Sequence, residues 1–465
     1  MRNEWLFPML LVVPFIALGD DMSTTGESPS LPPSYKILRF DENYSCLSNS
    51  ALRTDFFDPI KYIPLGTNNP AWYLTLGGEL RERFEGNYDP NFGIGGNGPN
   101  SYWLQRATIL ADAHLGERFR VFAEGISGVI EGENSPAPAV QNDPIDLLFA
   151  FADVVPYFTD DESLTLRGGR FGMSFGSGRL VATRASPNIP FRFDGFETIY
   201  SRPMWEATTF LTRPVEDTGG ISGSNPDTTF WGLYVTHWFD APHKLGVDLY
   251  YLGIANEHAH YASGSGNENR HSFGSRIFGE RNQWDWNGEA VIQVGRFGDK
   301  SILAWTASLD SGYTWDAKWQ PRLGLKVDVA SGDNGDGHQG TFDPLYFKSG
   351  YFNDASMIRP ANLIDVHPNL AANLTRTVSV NGGADVFWRY SKDDAIYAPP
   401  GFVAIPPSNA GSAYVATAVD INLQWQIQRH VTFGASYVHF FTGSYVHQAG
   451  GSDVDYVSTT LSFLF

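Results

Sequence analysis

Three short stretches and one scattered set of side chains have the residue types for chemistry. Residues 172 to 176, GMSFG, have the G-x-S-x-G spacing that presents a nucleophile, here Ser174, on a strand-to-helix turn. No helical pattern follows Gly176, so Ser174 is expected to be a loop serine beside a strand end. The run DNGDG, 333 to 337, makes Asp333 and Asp336 a weak calcium candidate, but the distal bidentate glutamate of a calcium loop is missing. A solvated turn is the expectation there. His258 and His260 lie close together without a third ligand at metal spacing.

The scattered set is basic. Arg81, Arg83, Arg106, Arg118, Arg120, Arg167, Arg276, Arg322 and Arg389 fall mostly on the polar parity of alternating segments. Glu79, Asp112, Glu124, Asp285, Glu289, Asp328 and Asp385 do likewise. Two outcomes stay open. The two signs can neutralise each other in a salt-bridge lattice, or the guanidinium groups can form a ladder. Guanidinium binds carboxylate bidentately, so a ladder would pass an anionic solute from site to site.

The elements that position these residues are strands. In AVDINLQWQIQ, 418 to 428, Val419, Ile421, Leu423, Trp425 and Ile427 alternate with Asp420, Asn422, Gln424, Gln426 and Gln428. This period of two gives a strand two unlike faces. Eighteen such strands are expected: 72–84, 101–115, 118–130, 147–156, 163–171, 194–201, 205–213, 229–239, 244–255, 270–281, 284–297, 301–314, 319–330, 361–374, 377–390, 413–428, 431–442 and 454–465. No helical pattern supplies a second layer to cover the apolar faces, so lipid is their expected partner. Short and long connections alternate, with 298–300 short where a long one is expected. Such sorting marks an outer-membrane barrel with short turns on one rim. Closure satisfies the backbone in hydrocarbon and leaves no edge.

Composition agrees. The 465 residues include 48 Gly, 33 Phe, 21 Tyr and 13 Trp, a mix suited to many strands, tight turns and interfacial aromatic rings. The net charge of −19 argues against a nucleic-acid partner. The single cysteine, Cys46, excludes an internal disulfide. Arg2, the apolar run from Trp5 to Leu18 and Ala17-Leu18-Gly19 form a signal-peptide pattern over 1–19, too short to span a membrane. Residues 20–71 are expected to be an irregular periplasmic segment and 72–465 the barrel. An even strand number puts both termini on the periplasmic side. The chain stops on Phe465 of an alternating strand, which resembles the C-terminal signal of bacterial outer-membrane proteins.

Within LTLRGGRFGMSFGSGRLVATRASPNIPFRFDG, 164 to 195, stand Gly169-Arg170, Gly176, Arg179-Leu180, Arg184, Asn188, Arg192 and Phe193-Asp194-Gly195. This stretch resembles the alginate export porin family. SYWLQRATILADAHLGERFRVFAEG resembles that family's early hairpin, and GTFDPLYFKSGYF followed by NLIDVHP resembles its large late loop and next strand. The resemblance implies an eighteen-stranded outer-membrane barrel with an electropositive constriction that conducts an anionic polysaccharide. Arg170, Arg179, Arg184 and Arg192 are then expected to extend the anion path, with Asn188, Phe193, Asp194 and Gly195 as family-motif residues.

The expected function is therefore an outer-membrane porin or exporter for an alginate-like polysaccharide or smaller anionic solutes. It needs no cofactor and is no enzyme. Its partners are outer-membrane lipid, the anionic solute and periplasmic export proteins. The alternatives are a general diffusion porin and, from another class, a barrel enzyme or a plugged structural barrel. A barrel enzyme would need a serine–histidine pair, and a plug would use the long loop 331–360.

Overall fold

The computed structural model describes residues 32–66, 69–95, 98–134, 138–240, 243–408 and 411–465. The expected signal peptide over 1–19 lies outside them. Eighteen strands form the wall: β1 (Trp72–Tyr88), β2 (Asn100–Leu115), β3 (Phe119–Glu131), β4 (Asp143–Phe158), β5 (Ser163–Phe171) and β6 (Phe193–Arg202). They continue as β7 (Trp205–Pro214), β8 (Thr228–Trp238), β9 (Leu245–Tyr261), β10 (Gly264–Arg281), β11 (Trp284–Phe297) and β12 (Lys300–Thr314). The last six are β13 (Arg322–Ala330), β14 (Leu363–Asn373), β15 (Val378–Arg389), β16 (Tyr414–Gln428), β17 (Val431–Thr442) and β18 (Val454–Leu464). Each pairs antiparallel with its sequence neighbours. β18 returns to β1, Leu464 opposite Glu79 and Asp455 opposite Tyr88, so the sheet closes.

The two faces separate as period two requires. On β16, Ile421 is 59% exposed while Asp420 beside it is 8% exposed. Exposed Ile109, Phe196, Leu249, Leu303 and Leu325 continue the apolar outer face on other strands. No helix among the described residues is long and apolar enough to cross a membrane.

Short connections such as 116–118, 203–204, 282–283 and 429–430 share one rim. The long ones, 172–192, 215–227, 331–362 and 443–453 among them, share the other. One expectation fails. The stretch 256–269 is not a long loop: β9 and β10 run on through it to a turn at Ala262 and Ser263. Its residues are mostly polar, with Ala259 and Tyr261 the buried apolar exceptions, which hides a strand from a hydrophobic period. Backbone pairing continues there without an exposed apolar row. The hairpin tip docks on a short hairpin, Ile396–Ala398 with Phe402–Ile405, through Ala262 N–H to the Tyr397 hydroxyl at 3.1 Å. The connection at Gly298 is short, as expected.

Residues 32–66 return to the short-turn rim. Asp55 Oδ2 lies 2.8 Å from His430 Nε2 in the β16–β17 turn. Arg39 donates to the Gly78 carbonyl at 3.0 Å and the Phe465 carbonyl at 3.1 Å. Phe40 enters the lumen and packs edge-on against Phe122, Phe149 and Phe151 at centroid distances of 5.6, 5.5 and 5.1 Å. Burial of such a ring contributes about 1.5–3 kcal/mol, enough to seat the segment inside the mouth. Cys46 is buried here as a free thiol.

Candidate functional site: two inward loops and the lumen wall

Two long connections fold into the barrel and pair with each other. Ala182 N–H donates to the Tyr346 carbonyl and Tyr346 N–H to the Leu180 carbonyl, both at 2.8 Å. Lys348 N–H donates to the Gly178 carbonyl at 2.9 Å. The first loop, 172–192, crosses from β5 to the far wall. There Ser177 bonds Glu289 on β11, and Arg179 bonds Asp328 on β13. It then returns, and its Ala185 carbonyl accepts from Arg81 on β1 at 2.7 Å and Arg106 on β2 at 3.1 Å. The second loop, 331–362, reaches back the other way. Asp354 accepts from Arg83 on β1 at 2.9 Å and from Ser458 on β18 at 2.5 Å. The loop anticipated as a gate or plug thus packs inside the lumen.

The motif residues build the first loop and the start of β6, the strand it enters. Asn188 is fully buried, accepts from Arg81 at 3.0 Å and donates to the Val129 and Gln141 carbonyls at 3.0 and 2.8 Å. Phe193 packs edge-on against Tyr346 of the second loop at 4.9 Å. Gly195 permits close strand approach, since a Cβ there would lie 2.2 Å from the Leu211 carbonyl oxygen.

Most of the expected arginine ladder is neutralised. Arg106 pairs with Glu79, Arg120 with Asp112, and Arg167 with Asp153 and Glu197. Arg276 pairs with Asp248, Arg322 with Asp285 and Asp310, and Arg83 with Glu85 and Asp354. Arg179 sits between Asp328 and Glu289, and Arg192 between Asp146 and Asp217. Arg170 does not share the inward parity of Arg167. It has the parity of exposed Leu166, and its partner Asp194 has that of exposed Phe196. Both lie under the 215–227 connection, with Arg170 donating to the Ser222 carbonyl at 2.8 Å. Arg389 stacks over Tyr445 at 3.6 Å and donates to the Ser408 and Ser412 carbonyls, both at 2.9 Å, near the long-loop rim.

Three cations at the inward loops have no carboxylate ion-pair partner among the described residues. Arg81 has only uncharged acceptors: the Ala185 and Pro187 carbonyls and Asn188 Oδ1. Its positive charge is not cancelled by them. Arg184 turns through the left-handed region at φ 54°, a conformation costing a non-glycine residue about 1–2 kcal/mol. Its guanidinium lies over Phe191 at 3.8 Å, and burial pulls its pKa down to about 10, which leaves it charged at neutral pH. Lys348 was not singled out in the sequence. Burial, followed by the charges of Lys326 and Arg179, pulls its ammonium down to about 8. The only sequence cue is a lysine among aromatic residues in GTFDPLYFKSGYF.

The rival chemistries find less. Ser174 is exposed, with coil rather than a helix after it. Two serine–histidine contacts are present among the described residues, Ser265 with His260 at 2.7 Å and Ser301 with His338 at 2.6 Å. Both are exposed on hairpin ends, and neither imidazole has a carboxylate partner among the described residues. Asp333 and Asp336 close turns onto Gly335 and His338 amides at 2.8 and 3.0 Å. Only one oxygen of each serves the loop backbone in this way, and Asp333 Oδ2 lies 3.8 Å from Lys300 Nζ.

A closed eighteen-stranded antiparallel barrel with lumen-filling loops defines the protein as an outer-membrane porin-type barrel. The chain belongs to the alginate export family, whose model matches residues 72–460. No curated relative matches it. Similar solved structures include the Pseudomonas aeruginosa outer-membrane protein OpdK, at 11% identity and a TM-score of 0.58, covering 84% of this chain and 98% of that one. OccD3 (OpdP) of the same organism has 13% identity and a TM-score of 0.56, covering 84% and 91%. OccK2 (OpdF), solved in complex with glucuronate, has 8% identity and a TM-score of 0.57, covering 86% and 99%.

Proposed function

We propose that this barrel resides in the bacterial outer membrane and conducts anionic saccharides, uronate oligomers or an alginate-like polymer, past cations held on its two inward loops. The observation that carries the reading is the set Arg81, Arg184 and Lys348, which stand at the two inward loops with no carboxylate ion-pair partner among the described residues. A charge in a narrow, low-dielectric channel acts on a permeating ion far more than a solvated loop charge beyond a Debye length of about 8 Å. This is how an overall charge of −19 coexists with an anion path. Many weak contacts suit flow, because tight binding would stop it. Membership of the alginate export family supports the solute class. So does the glucuronate bound to a barrel of similar fold, since glucuronate is itself a sugar carboxylate. The work of the channel is transport, and a cleaved signal peptide over 1–19 would deliver it to the periplasm.

Planar-bilayer recording tests the proposal. In a KCl gradient the reversal potential should show anion preference. Oligouronates should block the current more strongly than neutral oligosaccharides of equal length. Equal block by both would make the barrel a general diffusion pore, and a cation preference would remove the basis for anion transport.

A further inference from the structure

We propose that Asp365, His367 and Asp385, with Asp420 beside them, form a binding site for one divalent transition-metal ion of the zinc or manganese class. The four residues stand on three neighbouring strands, β14, β15 and β16, and all share the inward parity. Asp365, His367 and Asp385 each offer one ligand atom, and these atoms all lie within 4.8 Å of one another. Asp420 Oδ1 is 4.0 Å from His367 Nε2.

The second observation is the lack of partners. Asp365 and Asp385 are fully buried. Both Asp365 oxygens, Asp385 Oδ1 and Asp420 Oδ1 accept no hydrogen bond among the described residues. The imidazole of His367 has Nδ1 2.8 Å from Asp385 Oδ1, yet neither ring nitrogen has a hydrogen bond of good geometry. Buried polar groups are nearly always satisfied, so this many orphaned acceptors at one point call for a cation. The adjacent protein cation is committed elsewhere. Lys326, opposite His367 across the β13–β14 ladder, donates to the Tyr351 carbonyl at 3.0 Å and pairs with Asp328 at 3.3 Å.

The wall is shaped for the imidazole. Gly383 lies beneath it, and a Cβ there would fall 2.1 Å from Nε2. Donors about 2.0–2.2 Å from a common ion lie roughly 3–4 Å apart, so small carboxylate rotations close the cluster on one ion. One histidine nitrogen with the carboxylate oxygens of Asp365 and Asp385 suits zinc or manganese, and Asp420 stands at the other ring nitrogen. Calcium prefers about six to eight oxygen ligands. The site also reaches the second inward loop, because Asn353 Nδ2 donates to Asp385 Oδ2 at 3.0 Å. A bound ion would fix the Asp385 carboxylate and strap that loop to the wall.

The test uses untagged, refolded full-length barrel in detergent, stripped with chelator and titrated with Zn2+ alone. Calorimetry and metal analysis after desalting should give one tightly held Zn2+ per chain. Co2+ in its place should give ligand-field absorption in the visible. Asp365→Asn and Asp385→Asn should each weaken Zn2+ binding by about ten-fold or more, and His367→Gln should shift the Co2+ band. A His258→Asn, His260→Asn double variant should change neither. No stoichiometric Zn2+ on the wild-type barrel overturns the proposal and leaves a proton-sharing carboxylate cluster. Full affinity in the folded Asp365→Asn variant, or loss of binding in the His258, His260 variant, overturns it as well.

Discussion

Two sectors of the lumen wall carry charge under opposite terms. On β1 to β5, Arg106, Arg120 and Arg167 each face a carboxylate, and only Arg81 is left to neutral acceptors. On β14 to β16, Asp365, Asp385 and Asp420 gather around one histidine, and no arginine reaches them among the described residues. The same alternation put both sets inside. What separates them is cross-strand register. Where register sets Arg167 opposite Asp153 and Glu197, charge becomes part of the wall. Where it sets acid beside acid, charge is left over and can hold an ion. A residue's sign therefore says little about permeation until its neighbour across the ladder is known.

The largest test of this contrast reverses the unpaired cations. The double change Arg81→Glu, Arg184→Glu should lower the anion-to-cation permeability ratio by about ten-fold, from the field focusing expected in a narrow channel. Reversal potentials in a KCl gradient measure it, and an unchanged ratio would place the anion path elsewhere. A smaller effect belongs to Lys348. A lysine is charged below its pKa, and burial sets this one at about 8. Anion preference should therefore fall as pH rises through about 8, and Lys348→Met should flatten that profile. A wild-type profile that is already flat would take Lys348 out of the path. The smallest change in selectivity should come from Arg167→Gln, less than about two-fold, because Asp153 and Glu197 already cancel this arginine. Its cost is structural: uncovering two buried acids should destabilise the barrel by about 3–5 kcal/mol in urea unfolding. A selectivity loss larger than that of Arg184→Gln alone would invert the comparison.

Much of the wall was legible in the sequence, because an apolar outer face and a polar lumen face impose a strict period of two. Ile421 and Asp420 separate for that reason alone, and a one-residue slip would exchange them. The rims were legible in connection lengths, except over 256–269. There β9 and β10 pair through a mostly polar stretch, which gives little hydrophobic signal. The arginines were legible as inward residues on β1, β2, β5 and β10, but their fate was not. Arg170 is the exception: it sits three residues after Arg167, and period two alone puts the two on opposite faces.

The sequence by itself determined strand number, closure and the polarity of each face, since these follow from local alternation repeated along the chain. Only the tertiary structure decided which charges are free. Arg179 meets Asp328 across 149 residues of chain, and Arg81 meets Asn188 across 107. Asp365 and Asp385 converge because β14 and β15 pair in one register and not another. Coulomb energies fall with distance and with solvent, so a charge acquires its role from the few groups that folding brings within ion-pair reach.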